Sequence, residues 1–172
     1  MMEIPVLETE RLRLRAPSEE DFEAEVEFYA SERSQFVGGP MPRELVWRGM
    51  ASVLGHWYLR GYGFWAVEEL ATGSFCGQVG LWYPEGWPEP EIGWTLMQNA
   101  EGKGYALEAA LKAREYAYGT LKWPTAISLI DPENLRSAAL AKRLGARMDY
   151  EYEHPQYGKM YVWRHPPPED CV

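Results

Sequence analysis

Residues 97–123 read MQNAEGKGYALEAALKAREYAYGTLKW. Gly102 and Gly104 flank Lys103 and stand directly before an alanine-rich segment of high helix propensity. Glycine at such a boundary lets the chain turn and lets a ligand come close to the backbone. The first amides of a helix have no partner inside it, and the helix dipole favours an anion there. Two readings follow: a plain strand-to-helix turn, or a turn that holds an anion such as a pyrophosphate. Two phosphate signatures are excluded. A Walker loop needs Ser or Thr where Gly104 follows Lys103, and a dinucleotide fingerprint needs Gly or Ala where Leu107 stands. Ala106, Ala109, Ala110, Ala113 and Ala117 form one stripe, which suits close packing on a sheet.

Upstream, Leu7 to Arg15 alternates apolar and basic residues and predicts a strand. Ser18 followed by Glu19, Glu20 and Asp21 predicts a helix start, and a second helix is expected from Pro42, with Trp47, Met50, Ala51, Leu54, Trp57 and Tyr58 on its apolar face. Three strands, at 62–68, 77–83 and 91–97, are joined by short links and predict an antiparallel meander. Beyond the alanine-rich helix come a strand at 126–130, a helix at about 133–144, and strands at 147–153 and 159–164. This order is an α+β pattern on a mixed sheet, in a single domain expected to span 1–165. The proline-rich residues 166–172 are expected to be a loose tail.

The chain has 172 residues and a formal net charge of −9. That balance disfavours a nucleic-acid partner and suits a cationic one. Cys76 and Cys171 form neither a disulfide framework nor a CxxC site, and His56, His154 and His165 lack metal-ligand spacing, so no metal is expected. The N-terminus lacks the pattern of a secretory signal and no apolar run is long enough for a bilayer, so a cytoplasmic location without membrane association is expected.

A second cluster lies in DPENLRSAALAKRLGA (131–146). Asp131-Pro132 suits a helix start and Gly145 a stop. Ser137 lies on the apolar stripe with Leu140, Ala141 and Leu144, and Asn134 lies near that face; they read either as a capping pair or as a polar pair in a site.

Taken in order, LETERLRLRAPSEEDFE, GYGFWAV, CGQVGL, EIGWTL, GKGYALEA and ENLRSAALAKRLGA make residues 7–164 resemble the GNAT N-acetyltransferases, in the branch of the ribosomal-protein alanine N-acetyltransferases. The resemblance implies helices layered on both faces of a mixed, mostly antiparallel sheet whose middle strands splay apart. It implies acetyl-CoA as donor and a primary amine as acceptor. The family's signature at the glycine turn falls on Glu101-Gly102-Lys103-Gly104-Tyr105-Ala106, with Glu101 where Arg or Gln is usual; its carboxylate is expected to turn to solvent, with Lys103 as the local cation. By the same resemblance, the backbone of Thr95, Leu96 and Met97 and the side chain of Asn134 hold the pantetheine. Ser137 protonates the departing thiolate, and Glu91 is the base, directly or through a water, with a solvated strand-edge carboxylate as the competing reading. Glu85 and Glu89 are weaker candidates. Phe36, Trp82, Tyr83 and Trp87 are expected around the acceptor. A monomer or a homodimer is compatible with this reading. Two other classes stay open: a regulatory module that holds acyl-CoA without turnover, and an interaction scaffold without a donor site.

Overall fold

The computed structural model describes residues 2–171. Eight strands form one sheet in the order β1-β2-β3-β4-β5-β6-β8-β7. They are β1 (Leu7–Glu8), β2 (Leu12–Arg15), β3 (Phe64–Glu69), β4 (Phe75–Trp82), β5 (Glu91–Leu96), β6 (Ile127–Ile130), β7 (Arg147–His154) and β8 (Gly158–Arg164). The helices are α1 (Phe22–Ala30), α2 (Arg43–Arg60), α3 (Tyr105–Gly119) and α4 (Leu135–Arg143). All strand neighbours are antiparallel except β5 and β6, which run parallel. The expected meander is β3-β4-β5.

Strand alternation divides the sheet into two faces. Val79, Leu81 and Ile92 join Leu12, Leu14, Trp65 and Val67 in a core closed by Ala109, Ala110, Ala113 and Ala117 of α3, each fully buried. Alanine lets that helix sit close to the sheet. The intervening Gln78, Trp82 and Glu91 point to the opposite face, into a cavity that Val46 and Val53 of α2 also line.

Three expectations change. The run 7–15 is two short strands paired Leu7 to Leu14 around a turn, because Thr9 Oγ1 receives the Leu12 amide at 3.0 Å. The buried face of α2 is Val46, Met50, Val53, His56 and Trp57, while Trp47, Leu54 and Tyr58 are exposed. His56 goes inside because its two ring nitrogens meet backbone groups, Tyr62 O at 2.7 Å and Tyr83 N at 2.9 Å. The expected loose tail begins packed: Pro166 and Pro167 are half-buried, Tyr118 donates to Pro166 O at 2.8 Å, and 168–170 form a 3-10 turn.

Candidate active site

The donor side starts at the glycine turn. Gly104 is the N-cap of α3 at φ +79, a left-handed conformation that favours glycine, and no side chain caps the helix there. Only the fourth amide of the helix closes back on the cap, Glu108 N to Gly104 O at 3.1 Å. The amides of Tyr105, Ala106 and Leu107 are therefore donors without intrahelical partners. Gly102, Lys103, Gly104, Tyr105 and Ala106 all line a groove of about 910 Å³ that runs on to Thr95, Asn134 and Ser137. The turn is held from behind, where Arg11 donates to Lys103 O at 2.9 Å and to Glu108 at 2.8 Å.

Glu101 does not turn to solvent. Arg33 and Arg136 both pair with it, Arg136 at 3.1 Å, and Arg33 also donates to Leu96 O at 3.2 Å. The carboxylate that departs from the usual Arg or Gln thus brings two guanidinium groups to the groove. Lys103 lies 3.8 Å from Glu69 and is less free than the sequence suggests.

The fork between β5 and β6 has a clear physical cause. The strands share one register pair, Glu91 with Ile127. Beyond it, side chains take the places of ladder bonds: Ser128 Oγ donates to Ile92 O at 2.6 Å, and Glu91 Oε2 accepts from Leu129 N at 2.5 Å. Behind Ser128, His165 Nε2 lies at 2.8 Å, and Arg114 lies 3.2 Å from His165 Nδ1. Arg114 can only donate, so Nδ1 accepts and Nε2–H donates to Ser128, a consistent buried chain. Burial, with Arg114 beside it, pushes His165 down to about 3 and keeps it neutral.

The open edge of β5 differs from the expected 95–97. Met97 N already donates to Cys76 O at 2.9 Å, and Met97 lines neither cavity. By strand alternation Thr95 also turns its backbone towards β4, so Trp94 and Leu96 present theirs to the fork. Trp94 went unnoticed in the sequence because one more Trp in an aromatic-rich chain carries no local signal.

Ser137 sits at the junction. Its Oγ accepts from Trp94 Nε1 at 3.2 Å and from Asn134 Nδ2 at 3.1 Å, while Asn134 Oδ1 caps Ser137 N at 3.2 Å. Both lone pairs of Oγ are engaged, so its proton is free to donate into the groove. Asn134 is thus the N-cap of α4 and a groove residue at once. Phe36, Val37, Trp94, Thr95, Asn134 and Ser137 line both this groove and the second cavity, so the two meet there.

The second cavity, about 300 Å³, brings together Glu91, Phe36, Trp82 and Trp87 of the sequence candidates. Glu91 is buried and accepts from Trp87 Nε1 at 3.1 Å as well as from Leu129 N; burial pushes it up to about 7 against those two bonds. Gly93 leaves the floor open, since a Cβ there would fall 2.9 Å from the Phe64 ring and 3.5 Å from Glu91 Oε1. Tyr83 lies elsewhere, under Arg60 at 5.1 Å. Glu89 is occupied by Arg164 and Tyr150, and Glu85 is exposed; neither lines the cavity. The sequence reading missed Glu25, Tyr29 and Phe64, which line it too.

A forked sheet with a donor-rich helix start on one side and a small aromatic cavity on the other defines a class, the acyl-CoA N-acyltransferase fold. The sequence pattern of the Acetyltransferase (GNAT) domain matches residues 11–147, and the chain belongs to that family. The acetyltransferase structure from Agrobacterium tumefaciens is 38% identical, covers 96% of both chains and superposes with a TM-score of 0.88. YkkB of Bacillus subtilis is 35% identical over 50% of this chain, and the N-acetyltransferase YnaD of the same organism 37% identical over 34%. The matched stretches span 52% and 35% of those two relatives, about half their length or less. RimL, a ribosomal-protein acetyltransferase solved with coenzyme A, shares the fold at a TM-score of 0.74 and 15% identity, covering 94% of this chain and 97% of its own. Among the described residues no helix is long and apolar enough to cross a membrane.

Proposed function

We propose that this chain transfers the acetyl group of acetyl-CoA to a primary amine, a protein N-terminus or a small-molecule amine, by direct attack. The observation that carries the reading is the meeting of the two cavities at Trp94, Thr95, Asn134 and Ser137. The free amides at the start of α3 would take the diphosphate, and the β5 edge at Trp94 and Leu96 would pair with the pantetheine amides. The amine enters from the aromatic side. Its ammonium gives a proton to Glu91, directly or through one water, and a carboxyl held near 7 suits that exchange at neutral pH. The neutral nitrogen attacks the thioester carbonyl and forms a C–N bond. The C–S bond breaks, the Ser137 hydroxyl protonates the thiolate, and the second proton shed by the acylated nitrogen returns to the Ser137 oxygen. Free coenzyme A and an N-acetylated amine leave.

Ser137→Ala tests the assignment. It should lower kcat by roughly 10- to 100-fold and leave coenzyme A affinity unchanged. Full turnover by the variant would remove Ser137 from the chemistry.

A second reading, an acyl-CoA-binding regulatory module without turnover, draws on two observations. Glu101 occupies two of the guanidiniums at the groove, Arg33 and Arg136, and both Glu91 oxygens already accept hydrogen bonds. Coenzyme A binding without amine-dependent thiol release would favour it.

A further inference from the structure

The residues around the 300 Å³ cavity divide sharply by charge. Glu25, Glu91 and Asp131 line it, and among the described residues no Arg, Lys or His does. The adjoining donor groove is mixed instead, with Arg33, Lys103, Arg136 and Arg143 beside Glu32, Glu101 and Glu133 on its walls. Glu25 is the unusual member. It lies on α1, is only 5% exposed, and receives one hydrogen bond, from Gln78 Nε2 to Oε1. Its Oε2 accepts from no described residue and is not among the sealed, unpartnered atoms, so it opens into the cavity. Among the described residues no cation pairs with it, whereas the other buried carboxylate of this segment, Asp21, is fully answered by Arg15 at 2.7 and 3.0 Å. The fold therefore neutralises a buried acid one turn away and leaves Glu25 unanswered. A buried carboxylate without a counter-charge is costly unless a ligand supplies one.

Glu25 and Glu91 stand at opposite ends of the cavity. Gln78 pairs with Thr95 and Trp82 with Glu91, so the Gln78 that touches Glu25 lies four strand steps from the level of Glu91. Four steps are roughly 13 Å of strand. Tyr29, Phe36, Phe64 and Trp82 also line the cavity, aromatic walls that suit a methylene chain and can face a cation.

We infer that the acceptor is a diamine or longer polyamine, with one nitrogen delivered to the Glu91 end and a second, as an ammonium, held by Glu25 across the aromatic cavity. The inference rests on the acetyl-transfer reading for the fate of the first nitrogen, but the second contact is a binding property of its own. A carboxylate-bearing acceptor, such as a free amino acid, finds no cation in this cavity. Burial pushes the Glu25 carboxyl up to about 7, with Asp21 adding to the effect and Gln78 opposing it. Asp21 is the charged group that acts on it; Glu91 and Asp131 are the other acids on the cavity wall, and Tyr29 and Tyr157 the other titratable groups there. An arriving ammonium would hold Glu25 ionised.

The test compares diaminooctane with octylamine, equal in chain length and different by one ammonium, by calorimetry at pH 8 with coenzyme A present, and by thiol release from acetyl-CoA. The diamine should bind roughly tenfold or more tightly. Glu25→Gln should bring the two amines within roughly twofold of each other while leaving coenzyme A affinity unchanged, which also shows that the variant is folded. Equal affinities in the unmodified protein, or a preference that survives Glu25→Gln, would overturn the inference. Failure of the acetyl-transfer reading looks different: the diamine preference and its loss in the variant persist, and neither amine is acetylated.

Discussion

Glu25→Gln also makes a stability prediction that needs no substrate. Gln is close to Glu in shape, and its side-chain oxygen can still accept the Gln78 amide that bonds Oε1. What changes is the charge. In the folded chain burial holds the Glu25 carboxyl at about 7, against an ordinary value of 4.5. Between these two values the folded state binds more protons than the unfolded one, so the Glu25 contribution to stability falls as pH rises through the window. The full difference, 2.5 units, corresponds to about 3 kcal/mol lost above pH 7 and nothing lost below the unfolded value. Glu91, raised in the same direction, and His165, lowered, titrate in both proteins and cancel in the difference. Urea unfolding followed by tryptophan fluorescence, from pH 4.5 to pH 8.5, should show the variant gaining on the parent with rising pH, by up to about 3 kcal/mol. A difference that does not change with pH would refute the argument that Glu25 is buried without a counter-charge.

Three further outcomes are expected. Glu101→Gln releases Arg33 and Arg136; coenzyme A should bind about 2- to 10-fold more tightly with a steeper salt dependence, measured by calorimetry at two ionic strengths. Gly93→Ala places a carbon 2.9 Å from the Phe64 ring, so amine KM should rise while coenzyme A affinity stays constant in the same titrations. His165 is neutral when folded and protonates on unfolding, so its contribution is present above about 6.5 and is lost as pH falls towards 3. His165→Gln should cost about 1–3 kcal/mol at neutral pH and give a shallower acid limb in thermal melts.

Much of the scaffold was legible because its signals are local. The glycine turn, the alanine stripe and the Asn134–Ser137 pair each lie within a few residues, and a helix period aligns them. Glu91 was legible only through the family resemblance; in the structure it lines the second cavity. What escaped the sequence depends on contacts between distant segments. Glu25 looks like one more acid on an acidic helix until α1 lies over Gln78. Arg33 looks like a surface residue until the glycine turn brings Glu101 to it. On α2 the aromatic residues Trp47 and Tyr58 suggested a buried face, but His56 takes an inward position because backbone groups of the next segment satisfy it. Tyr83 was expected in the acceptor wall from the resemblance, but its position one residue beyond β4 turns it towards Arg60.

The central claim is that the groove at the start of α3 and the cavity at Glu91 form one reaction path through Ser137. Its most direct measurement is thiol release from acetyl-CoA, followed with and without diaminooctane, with mass spectrometry of the amine. Release that requires the amine and yields its N-acetyl derivative, with no acetyl group on the protein, is the predicted result. Tight coenzyme A binding with no amine-dependent release, or an acetyl group retained on the protein chain, would contradict it.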